Sequence, residues 1–149
     1  MSDHILLYVP ADPFWQPSRA DAEEAVSLLK SIAPEAVDVE PIFEDTVRFY
    51  DPGQNFSGVE CSSCGANAEE WWGDAMELAH ASGFTNLTVE APCCGTAVSL
   101  NNLRYVWPAA FGRFALQVRN PNMGDTTEEQ DRGVADCLGT TLRKIWVRI

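Results

Sequence analysis

Apolar positions along the chain fall into short runs whose period changes from one segment to the next. His4 to Val9 is a continuous run rich in Ile, Leu, Tyr and Val, which predicts a buried strand ending at Pro10. A loop punctuated by Pro13 and Pro17 leads to Ser18, a good N-cap, with Asp21 where a capping-box acid would stand. Ala22, Ala25, Val26, Leu29 and Ala33 then recur at helical spacing until Pro34 stops the helix. Val37, Val39, Pro41 and Phe43 alternate with Asp38, Glu40 and Ile42, a second strand in which Pro41 favours a sheet edge. Asp51-Pro52-Gly53 marks a turn. Ala68 to Ser82 predicts a helix, with Trp71, Ala75, Leu78 and Ser82 on one stripe and Trp72, Ala75, Met76 and Ala79 on the next.

Ser99 to Leu103 has the look of a short helical turn whose Asn101 and Asn102 cap or bridge backbone groups. Phe114, Leu116 and Val118 form a third alternating strand, broken at Asn120-Pro121-Asn122. Thr126 or Thr127 caps a helix that carries Glu128 and Glu129 in its first turn, Val134, Cys137 and Leu138 as its buried stripe, and Gly139 at its end. Leu142 to Ile149 is the last strand. Residues 1–149 thus read as a single α+β domain. With 51–107 set aside, the order is β-α-β followed by β-α-β, the ferredoxin-like split arrangement, and 51–107 stands as an inserted module. No internal repeat is apparent.

The insert carries the chemistry. Its first half is Glu60-Cys61-Ser62-Ser63-Cys64-Gly65 and its second is Ala91-Pro92-Cys93-Cys94-Gly95, each preceded by a short β-like run. Two residues between cysteines let a tight turn aim both thiolates at one point, and the glycine takes the unusual backbone angles that follow. These paired Cys-Gly knuckles resemble the zinc-ribbon family over about residues 56–100. The resemblance implies one structural zinc ion held by Cys61, Cys64 and Cys94 at knuckle positions. Ala91 occupies the family's fourth position, so the fourth ligand is Cys93, His80, or water or another group. Adjacent side chains on an extended strand point to opposite faces, so Cys93 and Cys94 can share an ion only where the backbone turns. The Pro-Cys-Cys-Gly and Ser99-Leu100-Asn101-Asn102-Leu103 segments also resemble those of small bacterial proteins of unassigned function, which implies nothing about chemistry. A redox dithiol fits less well, because such motifs open a helix in a βαβ unit.

Charge narrows the function classes. The net charge of −12 disfavours nucleic acid, whose phosphates are bound by Lys and Arg, and disfavours anionic membranes. Residues 51–100 hold seven acids and no Lys or Arg, whereas 101–149 hold seven basic residues against five acids. No stretch reaches the roughly 18 apolar residues of a membrane span. The apolar run near the N-terminus is too short for a signal peptide, so a cytoplasmic address is expected. Five cysteines in a reducing compartment suggest metal more than disulfides. Glu70, Asp74 and Glu77 share one helix face and, with Trp72, are the candidate surface for a basic protein partner. Glu77 and His80 form a Glu-x-x-His step, a half-motif of di-iron bundles without its companions.

No nucleophile elbow, phosphate loop or His-Glu-x-x-His motif is present, so no catalytic residue is assigned. The expected role is therefore a non-enzymatic, zinc-containing binding module or inhibitor of the immunity or antitoxin kind. The alternatives are a nucleic-acid-associated ribbon, and a zinc enzyme with an open metal position at the Ala91 gap.

Overall fold

A computed structural model of the chain describes residues 3–149. The first two positions of the expected 1–149 domain lie outside that range. The described residues form a mixed α and β structure with three α-helices and antiparallel sheets.

Four strands make the principal sheet: β1 (His4–Pro10), β2 (Asp38–Tyr50), β7 (Ala110–Arg119) and β8 (Leu142–Arg148). They lie in the order β2-β7-β1-β8, every neighbouring pair antiparallel. Pro41 sits in β2, an edge strand paired only with β7, where a missing N–H costs nothing to a ladder. Gly112 is required where β7 passes β1, since a Cβ there would stand 2.7 Å from Val9 Cγ1.

Two helices cover one face of this sheet. In α1 (Arg19–Ile32) the Ser18 hydroxyl accepts the Asp21 N–H at 3.1 Å, satisfying one of the helix's free donors. In α3 (Glu128–Leu138) Thr127 and Gln130 cap each other's backbone reciprocally, and Gly139 closes the helix at φ 77°. Ala22, Ala25 and Leu29 of α1 and Val134 and Leu138 of α3 pack on Leu6, Tyr8, Val39, Phe114, Leu116 and Val118. The opposite face buries Leu7, Val9, Ala115, Ile145 and Val147 under Tyr50.

Two expectations need correction here. The second strand does not stop at Phe43 but runs to Tyr50. Glu44 to Val47 stand opposite the single residue Arg113, a bulge that carries Val47 into a different core. The polar Glu44-Asp45-Thr46 stretch hid that continuation.

Between β2 and β7 lie β3 (Val59–Glu60), α2 (Glu69–Ala81), β4 (Thr88–Glu90), β5 (Ala97–Ser99), a 3₁₀ turn (Leu100–Asn102) and β6 (Arg104–Tyr105). They form two small sheets, β3-β6 and β4-β5. Their shared core includes Val59, Cys61, Ala79, Phe84, Leu100 and Tyr105, and reaches Val47 and Phe111 of the principal sheet. The second correction concerns α2. Leu78 does not share the buried stripe of Trp71 and Ala75 but is 75% exposed, because the helix turns Ala79 inward. Trp107 is exposed as well, and the half-buried Trp71 and Trp72 pack on this core.

Candidate metal centre

Each cysteine turn is built by the same few backbone bonds. In the first, Cys61 N–H donates to Ala66 O at 2.8 Å and Gly65 N–H to Cys61 O at 2.9 Å. In the second, Ala91 N–H donates to Thr96 O at 2.9 Å and Gly95 N–H to Ala91 O at 2.7 Å. Gly65 and Gly95 take φ of 77° and 71°, the left-handed region where a side chain would be strained. The hairpins therefore repeat at an offset of 30 residues, Val59-Glu60-Cys61 matching Val89-Glu90-Ala91 and Cys64-Gly65 matching Cys94-Gly95. Cys61 and Ala91 are both fully buried beneath their turns, and the tips are exposed. The absence of a repeat in the sequence reading is thereby corrected: the shared Val-Glu pair was the available signal.

The turns bring four sulfurs together. Cys61, Cys64, Cys93 and Cys94 offer sulfur atoms that all lie within 4.8 Å of one another. Cys61 Sγ is 3.9 Å from Cys94 Sγ, and Cys64 Sγ is 3.4 Å from Cys93 Sγ. A tetrahedron with metal–sulfur bonds of about 2.3 Å has edges of about 3.8 Å, so these separations suit a single ion. All five cysteines are free thiols, with Cys137 half-buried far from the cluster on α3. Cys93 reaches the cluster because the chain turns at 92–94, where Cys94 N–H bonds Ala91 O at 3.3 Å. Adjacent cysteines in a turn escape the opposite-face rule of a strand. The second hairpin thus presents its sulfurs at the third and fourth turn positions, where the first uses the first and fourth.

Electrostatics favour a cation at this point. Backbone N–H groups of Cys64 and Ser63 hold the Cys61 thiol below its ordinary range. The hydroxyl and backbone N–H of Thr96 draw Cys94 down to about 6. Cys93 moves the other way, up to about 12, through its contact with Cys64, desolvation and the neighbouring sulfurs. Cys61 and Cys94 are thus both drawn toward the thiolate form, and charge gathered on these sulfurs penalises a further one unless a positive ion is shared.

The other singled-out residues lie elsewhere. His80, the alternative ligand, is not among the clustered atoms; it is exposed on the last turn of α2, with its ring 5.4 Å from that of Phe84. Glu70, Asp74 and Glu77 are all exposed along α2. Trp72 is half-buried: it stacks on Phe56 at 5.4 Å and donates Nε1–H to the Tyr105 hydroxyl at 3.3 Å. Its membership of an apolar core explains that placement.

Two further polar arrangements stand apart from the cluster: Asn101 bridges backbone groups as expected, while the second had no signal in the sequence. Asn101 is 4% exposed and bridges two distant backbones, donating Nδ2–H to Ala11 O at 3.2 Å and accepting Phe111 N–H at 2.9 Å. Asp131 accepts from the Tyr8 hydroxyl at 2.7 Å and from Lys144 Nζ at 2.9 Å, and Lys144 also reaches Asp125 at 2.7 Å. Burial works against the Asp131 charge, yet bonds from Thr126, Tyr8 and Lys144 leave its carboxyl below the usual range. This group pins α3 to the sheet and borders a surface cavity of about 590 Å³. Its members come from separate elements, so no spacing announces it.

Among the described residues no helix is long and apolar enough to cross a membrane. Comparison with protein-family models, with curated proteins and with solved structures finds no match to this chain.

Proposed function

We propose that this chain is a zinc-stapled, non-enzymatic binding module that holds a basic protein partner, in the manner of an immunity- or antitoxin-type inhibitor. On this reading the strand order β2-β7-β1-β8 is a ferredoxin-like split β-α-β sheet, and residues 51–107 are a zinc-ribbon module inserted between its halves. The observation that carries the reading is the four-sulfur cluster. Four thiolates complete a tetrahedron and leave no position for a bound water, which is the arrangement of structural zinc and not of catalytic zinc. Zinc is favoured over other ions because an all-sulfur tetrahedral set suits it, and the free thiols fit a reducing, cytoplasmic setting.

The exposed Glu70, Asp74 and Glu77 supply the partner face, in a stretch between Arg48 and Arg104 that contains no Lys or Arg. A nucleic-acid role has less support. Arg119, Arg143 and Lys144, from the basic C-terminal third, are engaged by Asp3, Asn102 and Asp125 respectively. The test has two arms. Cobalt-substituted protein should absorb as a four-sulfur site, whereas three sulfurs plus water would favour the zinc-enzyme reading. Capture of the native partner on immobilised protein should weaken steeply with salt and be lost on Glu70→Lys/Asp74→Lys/Glu77→Lys. Undiminished capture by that variant rules the face out.

A further inference from the structure

The two hairpins are near copies, but their outer edges are treated differently. In the first, β6 lies against β3: Val106 N–H donates to Gly58 O at 3.0 Å, Tyr105 pairs with Val59, and Arg104 pairs with Glu60. The Arg104 guanidinium stands 3.7 Å from the Glu60 carboxylate. In the second, β4 pairs with β5 alone among the described residues. Leu100 N–H bonds Leu87 O and Ala91 N–H bonds Thr96 O, so the odd positions of this strand face β5. By alternation the Thr88 carbonyl and both backbone groups of Glu90 face outward, the counterparts of Gly58 and Glu60 that receive β6, while the outward Thr88 N–H is donated to Asn86 Oδ1 at 3.1 Å.

A groove of about 240 Å³ runs beside that open edge, between β4 and α2, lined by Ala75, Ala79 and Val89 and bordered by the exposed Leu78. Asp74, Glu77 and Glu90 are exposed, residues 51–103 contain no Lys or Arg to neutralise them, and Arg104 stands against Glu60 on the other hairpin. The edge, the groove and the charge all point to one kind of occupant.

We infer that the outer edge of β4 is a strand-addition site for an extended, basic segment of a partner protein. The inference rests on the proposed reading that the chain binds a basic partner, and adds where and in what conformation. The chain's own β6 supplies the template: an antiparallel segment with a basic side chain opposite Glu90 and an apolar or aromatic one opposite Val89. Main-chain bonds to Thr88 and Glu90 hold the segment, and alternate side chains enter the groove or meet the acids. Leu78, whose exposure has no role in the fold, then becomes the groove's wall.

The test is a titration of isotope-labelled, zinc-loaded chain with a capped synthetic peptide copying residues 102–107, followed by backbone amide shifts. Shifts at 88–90 and 75–79 are expected. Glu90→Pro removes the outward N–H while sparing the β4–β5 bonds made at 89 and 91, and Glu90→Lys reverses the facing charge; each should weaken binding about tenfold. Absence of shifts at millimolar peptide overturns the site. So do shifts confined to Glu70, Asp74 and Glu77 with both variants binding as the parent does, although basic-partner binding would then survive. Self-association through β4 without peptide also overturns it, because the occupant would be a second copy. Failure of the parent reading is distinct: partner capture would ignore the α2 charge reversal whatever the peptide does at β4.

Discussion

The principal sheet and the cysteine segment are two solutions to one problem, that of holding distant stretches of chain together. In the sheet, β2 and β7 are 13 and 10 residues long, and buried apolar side chains line both faces. Each fully buried Val, Leu or Phe there contributes about 1.5–3 kcal/mol, and the ladder is long enough to fix its own register. In the cysteine segment the strands have two or three residues, too few to be stable alone. What joins its two turns is a set of four sulfurs within 4.8 Å of one another. One region is specified by burial along long ladders, the other by an apolar core of short elements with a few sulfurs gathered around one point.

The comparison is broken most severely by removing the ion. Chelation, or Cys64→Ser, should forfeit a share of the roughly 10–16 kcal/mol of apparent binding energy typical of structural zinc. Hydrogen exchange should then show amides of 59–105 losing protection while β1, β7 and β8 stay protected. Equal loss everywhere would mean the two regions are one cooperative unit.

Phe111 tests how closely they are coupled. It is fully buried in the cysteine segment's core yet belongs to β7, in contact with Phe49 and Phe84 at 4.9 and 5.2 Å. Phe111→Ala should cost about 3–5 kcal/mol and weaken zinc retention as well. Leu116→Ala, in the helix-covered core, should cost about 2–5 kcal/mol and leave zinc retention unchanged. Denaturant melts paired with a zinc-competition assay separate the two outcomes. Asn101→Ala leaves the Phe111 N–H without its acceptor and should cost about 1–3 kcal/mol by the same melts.

A smaller effect concerns the polar pin under α3. Asp131 is held below its ordinary pKa, so its contribution is present above about pH 4 and fades as pH falls through the depressed value. For Lys144, burial opposes the charge, but Asp125 and Asp131 more than offset it and raise the pKa. Its contribution is complete below about pH 10 and fades as pH rises through the raised value. Lys144→Met should cost about 1 kcal/mol at neutral pH and flatten both limbs of the stability–pH curve. Smallest of all, the α2 charge reversal should change stability by less than about 0.5 kcal/mol, since its three positions are exposed and touch nothing that matters to folding.

What the sequence made legible follows the same division. Regular periodicity announced β1, α1 and α3, and the caps at Ser18, Thr127 and Gly139 marked helix ends because capping is local chemistry. β5 and β6 could not be seen, as two or three residues carry no period. The hairpin repeat was masked because Ala91 stands where the first hairpin has Cys61 and the second hairpin's other cysteine is at 93, which also left His80 in contention as a ligand. Asn101 read as a residue that caps or bridges backbone groups, and only the fold reveals that its partners lie 90 and 10 residues away. The cysteines themselves were plain, since metal-ligand spacing is written into a turn.

The proposed zinc staple requires that one ion be shared by both cysteine turns. X-ray absorption at the zinc edge of the purified, metal-loaded chain addresses this directly. The account predicts four sulfur neighbours at about 2.3 Å and no nitrogen or oxygen. A shell with a nitrogen or oxygen donor, or a chain that carries no metal and keeps its cysteine segment folded, would contradict it.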